Sequence, residues 1–282
     1  MKTLYIDCRG GASGDMTLGA MLSLGVPRRA LEEGLESLGL NEFELAVSEK
    51  EYHGSPATDV DVILHNKEHA WIHPYSGKYR NYGQIREMIE RSGITEHAKA
   101  LSRRIFDIKA AAESTAHGVP VDEVQFHEVG AVDSIVDVVG TAICADALGA
   151  DRVVSCHVPT GFGTVECACG TLPVPAPAVQ AILKETGLPH YRGDIEQELL
   201  TPTGAAILAG IVDEFVPDEV IEGAAKAGAA GETTGPAAAK AGAAGETAGP
   251  AGEREAGPAR IGRGTGKRDT GLAPLTLILM EE

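Results

Sequence analysis

Basic residues are scarce in this chain. Against 41 Asp and Glu, only 24 Lys and Arg occur in 282 residues, a formal net charge of −17. That deficit argues against a nucleic-acid partner, because a phosphate backbone is repelled by such a field. The same field draws metal cations toward clustered carboxylates. Long apolar runs are also missing. No stretch approaches the roughly 20 residues that a membrane-spanning helix needs, and residues 1–7 read as a strand rather than as part of a signal peptide. Cysteine is sparse: five residues, an odd number without framework spacing, which points to free thiols in a reducing, cytoplasmic setting. What remains is ordinary for a soluble protein with a sizeable core, 43% hydrophobic and 23% charged. The length suits one large domain or two modest ones.

Strand and helix signals alternate along the chain. "TLYID" (3–7) reads as a strand that enters a Gly-rich turn, "CRGGASGD" (8–15), before helical spacing over 16–26. Pro27 starts a second helix. Two strand-like runs, 43–54 and 57–65, are separated by Gly54, Ser55 and Pro56, and a polar loop follows to Tyr82. Helices are expected at about 83–92, 95–117 (ending at Gly118) and 132–149, a strand at 151–159, and helices at 175–187 and 201–215. This order favours an α/β (α+β) layered fold, a mixed sheet with helices, over a bundle or a sandwich. Near Gly223 the composition changes. "AAKAGAAGETTGPA" (224–237) is followed at once by "AAKAGAAGETAGPA" (238–251), with no Leu, Ile, Val, Phe, Tyr or Trp. Such a repeat buries too little apolar surface to offset its ordering entropy. Residues 223–259 are therefore expected to be a flexible, low-complexity linker between a main domain, 1–222, and a strand-like tail, 260–282, that completes its sheet.

Four groups of residues carry chemistry. In "FHEVGAVDSIVDVVG" (126–140), Asp133 and Asp137 lie four apart on one face of an otherwise apolar helix, with His127 and Glu128 at its mouth. The alternative reading makes Asp133 an N-cap and Asp137 a first-turn acid. Glu113 and His117, four apart at the end of the preceding helix, favour a divalent-cation or acid/base site. The turn holding Asp7, Gly11, Ser13, Gly14 and Asp15 offers backbone N–H groups to an anion. It is neither GxGxxG nor a lysine-bearing phosphate loop, and a tight turn capped by Ser13 or Asp15 is the simpler reading. "LLTPTGAAIL" (199–208) places Thr201 as N-cap before Pro202 and is a second candidate anion seat, with Thr203 and Gly204 in its first turn. His65, His69 and His73 recur every fourth residue on a polar loop suited to transient capture of a borderline metal, or are simply solvated. Cys156, His157, Cys167 and Cys169 lack structural zinc spacing, and buried thiols are their default.

Together "DCRGGASGDM", "HGVPVDEVQFHEVGAVDSIVDVVG", "GTLPVPAPA", "LLTPTGAA" and "IGRGTGKRD", in that order, resemble the nickel-insertion proteins of the nickel-pincer cofactor pathway, over residues 1 to about 222 and again from about 260. The resemblance implies a nickel chelatase of the lyase class. It would insert nickel(II) into a sulfur–carbon–sulfur pincer ligand carried on a pyridinium mononucleotide, driven by CTP with Mg or Mn, for a recipient enzyme of the lactate-racemase type. A homo-oligomer is also expected. On this resemblance Glu128 or Asp133 holds a divalent ion, His127 ligates or relays protons, and the ligand's phosphate suits the helix starts near Ser13 and Thr203. Three departures stand out. Cys167-Ala168-Cys169-Gly170 replaces the family's Cys-Ala-His-Gly, so thiolates of Cys167 and Cys169 are the candidate ligands there, alongside His65, His69, His73 and His117. The His-rich loop is thinned. The family pattern also continues into a CTP-associated second domain, so that step is expected to need a second domain or partner chain. The alternatives are a non-catalytic nickel-binding chaperone and a Mg-dependent phosphotransferase-like enzyme.

Overall fold

The computed structural model describes residues 1–65, 80–124, 126, 132–167, 170–231, 259–267 and 269–281. The fold is α/β. Strand β1 (Lys2–Asp7) leads through the Gly-rich turn into α1 (Gly14–Ser23) and α2 (Arg28–Glu36), then into a hairpin of β2 (Phe43–Tyr52) and β3 (Ser55–Leu64). Helices α3 (Tyr82–Arg91), α4 (Glu96–His117) and α5 (Val132–Leu148) follow, then β4 (Arg152–Ser155), β5 (Val158–Pro159), β6 (Gly163–Cys167) and β7 (Gly170–Val174). The remaining elements are α6 (Pro177–Thr186), β8 (His190–Tyr191), α7 (Pro202–Ile211), β9 (Glu214–Phe215), α8 (Asp218–Gly231), β10 (Arg260–Thr265) and β11 (Leu275–Glu281).

The main sheet has the order β2-β3-β10-β11-β1-β4-β9. Pairing is mixed: β1 with β4, β4 with β9 and β10 with β3 are parallel, and the other neighbours are antiparallel. The chain leaves β1 toward the β2 edge and leaves β4 toward the β9 edge. The carboxyl ends of β1 and β4 therefore form a topological switch point, the usual position of ligand crevices in open α/β sheets. Strands β10 and β11, from the end of the chain, lie in the middle of the sheet between β3 and β1.

Several boundaries differ from those read off the sequence. The hairpin turn is His53-Gly54, both at positive φ, so Ser55 and Pro56 already belong to β3. That two-residue turn matches the twist of the flanking strands. The expected strand 151–159 is split: β4 joins the main sheet, and β5 turns away to pair with β8. The expected helix 201–215 stops at Ile211, and Glu214–Phe215 pairs with β4 instead. Helix α8 runs to Gly231, so the first residues of the expected linker are helical. Ala-rich sequence has high helix propensity, which the composition argument undervalued. The rest of the repeat, 232–258, lies outside the described residues.

Helix α1 has no polar face, because it is sandwiched. On one side it meets β10 and β3, on the other α5 and α7. Gly262 and Gly264 sit two apart on one face of β10, and a Cβ on either would collide with main-chain atoms of α1, near Ala20 and Met16 respectively. Gly19 of α1 is equally tight against the Thr58 carbonyl. "GRGTG" is thus a flat seat on which a helix backbone rests directly. Gly264→Ala should lower stability by about 1–3 kcal/mol, the usual cost of forcing volume into a packed core. Thermal melting checks this, at about 2–4 °C per kcal/mol for a domain of this size. A parental Tm would refute the close seat.

Candidate functional site

Three helix starts meet above this seat. Ser13 caps α1, its hydroxyl accepting from Met16 N–H and donating to the Asp15 carboxylate. Thr201 caps α7, accepting from Gly204 N–H at 3.1 Å. Gly204 is so close to Ala12 and Ser13 that a Cβ would enter the Ala12 carbonyl oxygen. The chain is stitched there by Ala12 N–H to Leu199 O at 2.9 Å and Thr201 N–H to Ala12 O at 3.1 Å. Gly14 packs directly on the Asp137 side chain of α5, again with no room for a Cβ. Gly11, at φ 102°, turns the loop where an L side chain would meet the Leu199 carbonyl. First-turn N–H groups lack intrahelical acceptors, so this convergence concentrates positive potential.

Two lysines add to it. Lys109 of α4 is only 2% exposed. Its Nζ donates to Ser134 Oγ at 2.6 Å and Thr203 Oγ1 at 2.8 Å, tying the first turns of α5 and α7 together. Lys267, just after β10, reaches Asp133 at 3.3 Å and Asp61 at 3.7 Å. Carboxylates balance these cations. Burial pushes the Asp15 carboxyl up against the opposing hydrogen bond from Ser13. Asp137 is raised well above the ordinary carboxylate value, first by burial and then by Asp133 and Asp15. Burial pulls Lys267 down, but Asp133 and Asp15 more than offset it and the net shift is upward. The result is a compact set of carboxylates beside two ammonium groups and three helix starts. Among the described residues no three His, Cys, Asp or Glu side chains are placed to hold a metal ion together, so the lysines and helix starts suit a phosphate first.

This geometry sorts the sequence-read residues. Helix α5 begins at Val132, which makes Asp133 its second residue rather than its cap and puts Asp137 beyond the first turn. Asp133 is thus a first-turn acid rather than the cap, and the first-turn reading fails for Asp137. Ser13, Gly14, Asp15, Asp133, Asp137, Thr201, Thr203 and Gly204 come together. Asp7 does not join them. Its carboxylate is held by Arg9, which also binds Glu222 at 2.7 Å. His117 sits at the far end of α4, against Glu113 at 3.4 Å. It lies eight residues, about 12 Å of helix, beyond Lys109. His65 is exposed after β3, with its N–H bonded to Glu42 O at 2.9 Å. Cys167 is exposed at the end of β6, its thiol donating to Gly170 O at 3.1 Å. His69, His73, His127, Glu128 and Cys169 lie outside the described residues.

A family model described as nickel insertion protein matches residues 4–241. The chain belongs to the nickel insertion protein family. Proteins named pyridinium-3,5-bisthiocarboxylic acid mononucleotide nickel insertion protein are among those similar to it. That of Acetivibrio thermocellus is 43% identical over 219 residues, covering 77% of this chain and 53% of the relative. That of Geobacillus kaustophilus is 43% identical over 218 residues (77% and 53%), and that of Clostridium kluyveri 44% over 219 residues (76% and 54%). The chain thus spans about half the length of the curated relatives it matches. No solved structure matches it.

Sequence reasoning missed Lys109 and Lys267 in this family member. A signal for Lys109 existed: it falls in the stripe Ile105, Phe106, Lys109, Ala110, Ala112, otherwise apolar and buried. A lysine inside such a stripe needs buried polar partners. Lys267 carried no comparable signal, since one lysine in a Gly-rich segment reads as solvated.

Asp137 yields a pH prediction. Its folded pKa lies above the unfolded value of 3.8, so folding takes up a proton. Its contribution to stability is full below that unfolded value and is lost as pH rises through the folded one. Asp137→Asn lacks this loss. Its Tm relative to the parent should therefore climb with pH above about 4, by on the order of 2–4 °C per kcal/mol of relieved repulsion. Melting curves across acidic to neutral pH are the test, and a constant Tm difference would contradict the raised carboxyl.

Proposed function

We propose that this chain carries out its part of nickel(II) insertion into pyridinium-3,5-bisthiocarboxylic acid mononucleotide, at the convergence of α1, α5 and α7. The observation that carries the reading is this cluster of helix starts, lysines and acids, in a chain that belongs to the nickel insertion protein family. A mononucleotide brings a phosphate dianion. The starts of α1 and α7, with Lys109 and Lys267, form a seat for it. Lys267 pairs with Asp133, so engaging a phosphate frees that carboxylate for a cation. Forming a metal–carbon bond at a pincer ring carbon requires that the carbon's proton leave. The carboxylates of Asp133, Asp15 and Asp137 are the acceptors at hand, and the raised pKa of Asp15 and Asp137 suits a carboxylate to general-base work. His127 and Glu128, six and five residues before Asp133 in the sequence, belong to the same proposal as metal ligand and proton relay.

The finer parts are also proposals. CTP, with Mg or Mn, enters through a second domain or partner chain, and the product serves a recipient of the lactate-racemase type. The test is an insertion assay with nickel, the pincer mononucleotide and CTP, supplied with the second domain as a separate chain. Asp133→Asn and Asp137→Asn should each reduce insertion by at least 100-fold, on the order of a lost transition-state interaction of about 2.7 kcal/mol. Asn keeps the shape and removes the charge, so each variant should remain folded by thermal melting. Insertion at the parental rate in both variants would take this site out of the reaction.

A further inference from the structure

Two cysteines that the site above does not use lie side by side at the switch point. Cys8 follows the last residue of β1 and Cys156 the last residue of β4, so the parallel pairing of Ile6 with Ser155 delivers both to one place. Their Sγ atoms are 3.6 Å apart, and neither residue has exposed surface. Cys8 N–H points at Cys156 Sγ at 3.4 Å, and Ser155 Oγ is 3.4 Å from Cys8 Sγ. Nothing in a packed core requires two thiols to face each other, and a Val or Ala fills such a position at lower polarity.

We infer that Cys8 and Cys156 form a two-thiolate seat for a thiophilic divalent cation. The spacing fits: two thiolates on one tetrahedral ion, at roughly 2.3 Å each, lie about 3.8 Å apart. The surroundings fit as well. Asp7 and Asp218 are near enough to act electrostatically on Cys156, and the neighbouring cation, Arg9, is held by Asp7 and Glu222. The thiol–thiol contact lowers the pKa of Cys156 and, with burial, raises that of Cys8. On binding, two metal–sulfur bonds form, and each thiol still protonated releases its proton to solvent. No electron is transferred. Among the described residues no third His, Cys, Asp or Glu side chain closes the site, and a two-ligand seat gives up an ion that a closed four-ligand site retains. His157, next to Cys156, is exposed, which places the seat just beneath the surface. The loop 8–13 runs from Cys8 to the Ser13 cap of α1, so the seat adjoins the helix-start site. Assigning nickel(II) to the seat as a staging point rests on the insertion reading; the seat itself does not.

The test uses the full chain, reduced and anaerobic, titrated with nickel(II) or cobalt(II) without nucleotide. A thiolate-to-metal charge-transfer absorption saturating near one equivalent is expected. It should vanish in Cys8→Ser and in Cys156→Ser, and persist in Cys144→Ser and in the Cys167→Ser, Cys169→Ser double variant. Histidine ligation gives no such absorption, so metal at His65, His69 or His73 does not confuse the readout. Should a serine variant misfold, the parent protein decides. Nickel should slow alkylation of Cys8 and Cys156 by iodoacetamide at least tenfold, mapped by peptide mass. Absence of the band, its survival in both single serine variants, or alkylation unchanged by nickel would each overturn the seat. A band without insertion activity would sink the insertion reading alone, and insertion without a band would sink the seat alone.

Discussion

The close approach of α1 to β10 is the contact on which the rest is built. Gly262 and Gly264 let a helix backbone rest on a strand backbone, and Gly19 repeats the device against Thr58. A side chain at any of the three would lift the helix by the depth of a methyl group or more. Ser13, Gly14 and Asp15 would move with it, as would the fit of Gly14 on Asp137 and of Gly204 on Ala12. Lys267 extends from the same strand segment, three residues beyond Gly264, so one seat positions both the helix start and the cation beside it. This also explains why a segment from the end of the chain belongs in the middle of the sheet. It brings the glycine face that α1 needs.

Electrostatic strain at the convergence is tolerated because packing elsewhere supports it. Burying Asp137 beside Asp133 and Asp15 works against folding near neutrality. Lys109, fixed by Ser134 and Thr203, and Lys267 offset part of that repulsion. Helix α5 is buried nearly all round, through Ile135, Val136, Val138 and Val139, and makes a rigid support for its two carboxylates. A chain with a net charge of −17 that nevertheless gathers lysines and helix starts at one point separates its local from its global field. On the proposed reading, the acidic surface draws the metal ion while the lysines and helix starts receive the phosphate.

Much of the fold was legible locally. The β1-turn-α1 unit, the α4 end at Gly118 and the Thr201-Pro202 helix start each depend on one residue's conformational or hydrogen-bonding character, and each formed where expected. The strand errors share a cause. Glu214–Phe215 is a strand because β4 offers it a partner, and Val158–Pro159 leaves the strand before it because β8 does. Partners distant in sequence leave no periodic signal. The Cys8–Cys156 pair escaped notice for the same reason, and the stripe that holds Lys109 shows that it is buried but not that its partners, Ser134 and Thr203, lie 25 and 94 residues away.

The sequence by itself determined the α/β class, the acidic character, the helix starts and, through its ordered motifs, the family. Those properties follow from backbone preference, composition and short-range spacing, which act within a few residues. Only the tertiary structure decided that Asp137 is buried against Gly14 while Asp133 meets Lys267, that three helix starts converge, and that two thiols meet at the switch point. Each of those depends on how closely one backbone approaches another. That distance is set by glycines and strand order acting together, and no window of sequence contains both.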